Sequence, residues 1–387
     1  MKAKSVLLTM RVTKMFSIIN RKHIYLDVTH LTSLLSNTIS CSILFTESEG
    51  KHYINQKGKK MSKELRYMVF DCETATLPFA NEIAEGDSEK KKRIAIARPL
   101  IYDMGWTITN RKGEIIDKKQ YLIAETFAVP SIFDTAYYSE KRPLYLNMIA
   151  RNETHIKPWD EVIEIFIADL QQVDAVGAYN SMFDFKKAIP FTELYISKLY
   201  SPFYKEWEQV QRHLCYKIAN EPYYKDEDKQ FNADSFTFRG EQYPLFDLWG
   251  LATTHLLNTV KYKKKCLENN MLTASGTYFK TSAEASYRYL RDEYEFDEAH
   301  TALDDAIIET FILSQVAKRS AITIGIIFFP FRELGTTDKF VLRKQNPDRT
   351  EITVVINALT KGLEGKEPSR YTERIEKTIS ELERYLI

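Results

Sequence analysis

Apolar and polar positions alternate through residues 66–73. Tyr67, Val69, Asp71 and Glu73 fall on one side of an extended chain, and Met68, Phe70 and Cys72 on the other. This period of two predicts a strand with one face that turns from apolar to acidic along its length. Strands are also expected over 101–109 and 114–124, joined by the turn Asn110-Arg111-Lys112-Gly113. Residues 74–99 read as a charged connection centred on Glu89-Lys90-Lys91-Lys92-Arg93. The period then changes. Val162, Ile165, Phe166 and Leu170 recur at helical spacing over 159–172, followed by a short apolar strand at 173–178 and a helix from about Phe183. A long aromatic insertion covers 190–244, then a strand at 243–247 and a helix at 248–257. Thr281-Ser282-Ala283-Glu284 reads as a capping box opening a helix through Leu290, and 302–319 is a further helix.

This order predicts an α/β fold, a mixed five-stranded sheet flanked by helices, over residues 61–320. Residues 321–387 read as a small α+β extension. Within it, 340–344 and 352–356 pair as a hairpin across Asn346-Pro347-Asp348-Arg349, and 369–386 forms an amphipathic helix with Ile375, Ile379 and Leu382 on one face. Residues 1–60 show no sustained period and are basic, so an unstructured leader is expected. Their Ser, Thr, Lys and Arg content also fits a transit peptide. A third reading is that they are not translated. Lys57-Gly58-Lys59-Lys60 before Met61 can be encoded by a purine-rich ribosome-binding sequence, which would make Met61 the start of a bacterial or phage gene; a solvated linker is the plain alternative.

Composition narrows the chemistry. The formal net charge of +1 over 387 residues gives no global attraction to phosphate, so any such attraction needs local patches or bound cations. The four cysteines, Cys41, Cys72, Cys215 and Cys266, have no zinc-ligand spacing and read as reduced thiols in a cytoplasmic compartment. No apolar run approaches the roughly 18–20 residues that span a bilayer, so no membrane partner is expected.

Three short segments carry candidate chemistry. Asp71 and Glu73 stand two residues apart on a strand, about 6.6 Å along it, with both carboxylates on one side. At about 5 Å and an effective dielectric of about 20 their repulsion is on the order of 3 kcal/mol. A hard divalent cation removes that cost, and oxygen ligands suit magnesium or manganese. Asn180-Ser181-Met182-Phe183-Asp184 follows an apolar strand, so Asp184 falls at the C-terminal end of the sheet, where open α/β sheets hold ligands. In His300-Thr301-Ala302-Leu303-Asp304-Asp305-Ala306, a histidine precedes a helix and an aspartate sits in its first turn. An imidazole beside carboxylates can take a proton from water near neutrality. Asp304 points about 100° away from Asp305, and Glu309, four residues on, reads as a supporting or solvated charge. Each segment alone also has an ordinary reading: a chance Asp-x-Glu, an aspartate favoured by a helix dipole, a hydrogen-bonded histidine.

Taken together and in this order, the three segments resemble the DEDDh family of 3′–5′ exonucleases, which includes the epsilon proofreading subunit of bacterial replicases. The resemblance covers roughly residues 66–319. It rests on Asp71-Cys72-Glu73, on Asn180 to Asp184, and on His300, Ala302, Leu303, Asp305 and Ala306. It implies an RNase H-like fold and two magnesium ions, with manganese as a substitute. Asp71 would bind both ions, Glu73 and Asp305 the one carrying the attacking water, and Asp184 the second; His300 would deprotonate the water. The sequence departs from the family where Thr74-Ala75-Thr76-Leu77-Pro78 replaces a glycine-containing continuation, and where Tyr179 stands in place of a frequent histidine.

The implied partner is nucleic acid, single-stranded DNA first and RNA as the alternative, in replication, repair or phage DNA metabolism. A non-catalytic accessory subunit on the same fold is the reading from another class. Candidate substrate contacts are Thr74, Asn180, Phe183, Lys263 and Lys264. Phe183 also reads as core, and Lys261-Tyr262-Lys263-Lys264-Lys265 also reads as a solvated charge run. Aromatics of the insertion, among them Tyr195, Tyr200, Phe203, Tyr204 and Trp207, form either a stacking platform or the small core of a helical cap. Cys72 is expected to be packing, Asp247 a helix cap, and the extension beyond Ser320 a docking site for a polymerase or another replication protein, or a brace.

Overall fold

Alternate side chains of the strand Arg66–Ala75 (β1) enter two separate hydrophobic cores. Met68, Phe70 and Cys72 join Trp106, Phe166 and Phe185 on one side. Tyr67 and Val69 join Phe246, Ile312 and Leu313 on the other. A strand covered on both faces belongs in the middle of a sheet, and β1 lies there in this computed structural model. The structure describes residues 53–54, 60–61, 64–221, 233–343 and 347–386. A two-residue antiparallel ladder, Tyr53–Ile54 against Lys60–Met61, belongs to a separate unit, Met1–Lys63. That ladder departs from a wholly unstructured leader; the rest of the expectation for 1–60 lies outside the described residues.

The other strands are Leu100–Asn110 (β2), Ile115–Ile123 (β3), His155–Lys157 (β4), Ala175–Ala178 (β5), Ser235–Phe238 (β6) and Glu241–Asp247 (β7). They form one mixed sheet in the order β4-β3-β2-β1-β5-β7-β6. β1 runs antiparallel to β2 and parallel to β5. The sheet therefore has seven strands rather than five. The two additions, β4 and β6, are edge strands of three and four residues, too short to show a period.

Helices cover both faces. Trp159–Leu170, Ile189–Leu199 and Tyr204–Asn220 are anchored in the first core through Phe166, Tyr195 and Cys215. Val260–Glu268, Ala283–Arg291 and Ala302–Arg319 are anchored in the second through Tyr262, Ala285 and Leu313. The expected connection at 74–99 instead holds the helices Ala80–Ala84 and Ser88–Ala97. Asp87 caps the second by accepting the amides of Glu89 and Lys90 at 2.9 and 3.0 Å, a local signal that the surrounding charge obscures. The helix after Thr281 begins one residue later than the capping box implied. Ser282 is its cap, accepting Ala285 N–H, while Thr281 accepts the Trp249 indole N–H.

The hairpin expected in the C-terminal extension is not formed. Its segments lie in the helices Thr337–Leu342 and Arg349–Leu363, followed by Arg370–Glu383. Ile352, Val355 and Leu359 are buried at spacings of three and four, so the helical period overrides the strand preference of Ile and Val. Residues 344–346, which include the end of the first expected strand and Asn346 of the expected turn, lie outside the described residues. Among the described residues no helix is long and apolar enough to cross a membrane.

One close approach fixes the site. The helix Ala302–Arg319 starts directly over Gly105 of β2, the residue that pairs with Asp71. A Cβ at Gly105 would stand 2.4 Å from both the Ala302 carbonyl carbon and the Leu303 nitrogen. Only glycine lets the helix start press against the sheet beside the acidic end of β1.

Candidate active site

Position along β1 decides which of its acids meet. Asp71 and Glu73 follow Tyr67 and Val69 on the face covered by the helix Ala302–Arg319, where the apolar side chains have given way to carboxylates. Asp184 arrives from the turn after β5, where the short helical segment Ser181–Phe183 passes into the wider turn Asp184–Ala188. Asp305 comes from the first turn of Ala302–Arg319, buried at 8% exposure, whereas Asp304 is exposed and ties itself to Thr301 at the helix cap. A cavity of about 450 Å³ is lined by Asp71, Asp184, Asp305, Glu298 and Glu309 together with Asn180, Phe183 and Trp249.

Glu73, His300 and Asp305 offer ligand atoms that all lie within 4.8 Å of one another. His300 Nδ1 is 3.9 Å from Asp305 Oδ2 and 3.8 Å from Glu298 Oε2. The ring is held from its other side. Tyr138 stacks on it with centroids 4.3 Å apart, and the Tyr138 hydroxyl lies 3.2 Å from His300 Nε2. The His300 backbone is left-handed, with φ of 52°, and Lys141 Nζ fastens the preceding carbonyl of Ala299 at 2.5 Å. A non-glycine residue in that region carries strain that the surroundings must hold in place.

The acids repel one another. Burial, then the charges of Glu309, Asp305, Asp184 and Glu73, hold the Asp71 carboxyl well above the usual carboxylate range. Burial, then Asp305 and Asp103, does the same for Glu73. Burial pushes Asp184 up to about 7, even though the Cys72 thiol donates to it. Asp305 is pushed up to about 7 by burial and then by Asp304 and Asp103. Glu298 reaches about 8 through burial and the charge of Asp305. Two buried carboxylate oxygens, Asp305 Oδ1 and Glu298 Oε1, have no hydrogen-bond partner. Buried anions without partners are costly, and a bound cation is the ordinary way of satisfying them. His300 is shifted the opposite way, below its ordinary value, by burial and by the Lys141 charge. The imidazole is therefore neutral at pH 7. The donor set, oxygens with one nitrogen, fits a hard divalent cation.

The other sequence-based candidates separate. Asn180 and Phe183 line the cavity. Thr74 lies just past a register shift in the β1–β2 ladder and is not among the lining residues. Lys263 and Lys264 lie on Val260–Glu268, away from the lining; Lys263 donates to Asn258 at 3.1 Å, and Lys264 is exposed. Tyr195 is buried and, with Tyr204 and Trp207, packs against the first core, as a cap would. Tyr200 and Phe203 remain exposed, and residues 222–232 of the insertion lie outside the described residues. Asp247 caps Leu248–Ala252 as expected, accepting Gly250 N–H at 3.2 Å.

Two expectations need correction. Cys72 is buried, but it is more than packing, because its thiol donates to Asp184 Oδ1 at 3.3 Å. Of the supporting and solvated readings of Glu309, the solvated one fails. Glu309 is 2% exposed, faces the cavity and accepts Tyr179 N–H at 3.1 Å. Three further groups were not singled out. Asp103 pairs with Glu73 across the ladder and accepts Ala302 N–H at 3.0 Å, Tyr145 O–H at 2.9 Å and the Gln120 amide. It thereby ties the start of the Asp305 helix to the sheet. A charged residue in the middle of an otherwise apolar strand was its visible signal. Glu298 and Tyr138 lie in loops and had none. No family model matches this chain, and no curated protein does.

Proposed function

We propose that the chain is a metal-dependent 3′–5′ exonuclease with an RNase H-like fold, which hydrolyses phosphodiester bonds at the 3′ end of DNA and releases nucleoside 5′-monophosphates. The observation that carries this reading is the double membership of Asp305. It lines the cavity with Asp71 and Asp184, and it stands with Glu73 and His300 in a group of ligand atoms. An acid pair on the central strand, an aspartate after the neighbouring parallel strand and a His–Asp pair on the helix packed across β1 support the family likeness. The strained His300 backbone supports a working site rather than an incidental cluster.

Asp71, Glu73, Asp184 and Asp305 would hold magnesium or manganese, with Glu298 and Glu309 adding negative charge around them. Such ions would supply positive charge to the attacking and leaving oxygens of an in-line phosphoryl displacement. His300 does the proton work. With Nε2 engaged by Tyr138, Nδ1 faces the acids and takes the proton of the attacking water. Burial keeps the ring neutral and ready to accept it. Asp103 keeps the start of the helix, and so Asp305, in place.

Digestion of single-stranded DNA labelled at either end tests this reading. With magnesium, a 3′ label leaves immediately as a mononucleotide and a 5′ label gives a descending ladder; Asp71→Asn does neither. Absence of cleavage, release of mononucleotide from the 5′ end, or digestion confined to a matched RNA would contradict it.

A further inference from the structure

Trp249, a wall of the acidic cavity, is also the first member of an aromatic series that leads away from it. Its ring stacks on Phe331, with centroids 6.1 Å apart and planes 19° from parallel. Phe331 meets Phe329 edge-on, at 6.3 Å with planes 83° apart, and Tyr278 edge-on at 5.0 Å and 75°. The Arg332 guanidinium lies over both phenylalanines, 4.6 Å from the Phe329 centroid and 5.9 Å from that of Phe331.

Phe329 serves the fold poorly. It is 55% exposed, beside Phe328 at 54%. Its backbone is left-handed, with φ of 53°. The other non-glycine residues with positive φ among the described residues are Glu85, Asn152, Arg239, Asn270, Asp292 and His300, each with a polar side chain. A bulky phenylalanine is the least suited to that conformation. The segment before it is firmly seated. Gly325 N–H donates to the Leu245 carbonyl at 2.8 Å, and Ile327 N–H reaches the Asp247 carboxylate at 3.4 Å. The ring is thus held out in solvent by an anchored, strained backbone.

We propose that Trp249, Phe331 and Phe329, with Arg332, form a stacking platform for the bases of a single-stranded nucleic acid whose 3′ end lies in the acidic cavity. The proposal rests on the nuclease reading only for which end enters. Trp249 and Phe331 lie near-parallel while Phe329 turns its face at right angles to them; an exposed aromatic face accepts any base, and an arginine beside it meets the phosphate charge, the combination that suits a single strand without sequence preference. Arg332 is exposed, and its guanidinium rests on the two rings. The platform also explains how a chain with almost no net charge would hold a polyanion.

The test is binding of fluorescein-labelled oligothymidylates of two, six and twelve residues, measured by anisotropy in EDTA so that no cleavage intervenes. The native protein gains affinity as the strand lengthens from two to six residues. Phe329→Asn removes the ring but accepts a left-handed backbone; it loses about five- to a hundred-fold in affinity for the six- and twelve-residue strands. Phe329→Tyr, which keeps a stacking face, stays within about threefold of the native protein. Unchanged affinity in Phe329→Asn, or an equal loss in Phe329→Tyr, overturns the platform. The same result would point to a protein partner for the exposed Phe329 ring instead. Digestion of the twelve-residue strand by the native protein in magnesium reports separately on the cavity. Length-dependent binding without cleavage would overturn the nuclease reading and leave the platform standing.

Discussion

Asp305 Oδ2 lies 3.9 Å from His300 Nδ1, and the same side chain lines the cavity that Asp71 and Asp184 enter. One carboxylate thus joins the imidazole to the acidic wall. Asp305→Asn is expected to lower the rate of 3′-end digestion by at least about a hundredfold, since loss of a charged ligand exceeds the effect of losing an outer partner. Because the acids repel one another, the same change is expected to raise the melting temperature in EDTA by about 2–4 °C. Activity and thermal unfolding measured on one preparation check both. A fall in both would mean that Asp305 braces the fold.

The raised carboxyl groups make a stability prediction with a definite sign. Asp184 and Asp305 are pushed up to about 7 and Glu298 to about 8, while unfolded carboxyls titrate near 4. The folded state therefore holds extra protons between about pH 4 and 8. Their stabilising contribution is complete below about pH 4 and is lost as pH rises through 7 to 8, by about 1.4 kcal/mol per pH unit for each extra proton held. Denaturant unfolding in EDTA from pH 5 to 8 is expected to show this decline, reduced in Asp305→Asn. Millimolar magnesium should flatten it.

His300 titrates in the other sense. Burial and Lys141 hold its pKa below the ordinary value, so the base stays unprotonated to a lower pH than a free imidazole would. The acid limb of the pH–rate profile is expected below about pH 6. His300→Gln should lose about 10²–10⁴-fold in rate and abolish that limb. A limb at pH 7 or above would assign it to another group.

The acidic end of β1, the placement of Asp184 after an apolar strand and the choice of Asp305 over Asp304 were legible in the sequence. Each follows from a period of two, an apolar run or an angle around a helix, all of which are local. What was not legible depends on distant segments meeting. Glu298 and Tyr138 reach the site from loops. Glu309 sits where a solvated helix charge would, yet it is buried and accepts the Tyr179 N–H. Cys72 was assigned by its face of the strand, yet Asp184 meets it from that side. In the C-terminal extension Ile and Val suggested strands, but a period set by Ile352, Val355 and Leu359 makes a helix.

Gly105 offers a test that touches no acid. A methyl group there would meet the Ala302 and Leu303 backbone at 2.4 Å, and backbone cannot swing aside as a side chain can. Gly105→Ala is expected to cost about 1–3 kcal/mol of stability by overpacking. It should also lower digestion of 3′ ends at least tenfold, since about 1 Å of displacement at a site can cost a hundredfold. Full activity in a folded Gly105→Ala protein would show that the helix start has room to shift without disturbing Asp305.

The central claim is that these acids form a cradle for divalent cations, and calorimetric titration of the metal-free protein with manganese tests it most directly. Saturable binding is expected at neutral pH, accompanied by proton release as the raised carboxyls ionise, and lost or severely weakened in Asp71→Asn and Asp305→Asn. No saturable binding up to millimolar manganese, or equal binding by the native protein and both variants, would contradict it.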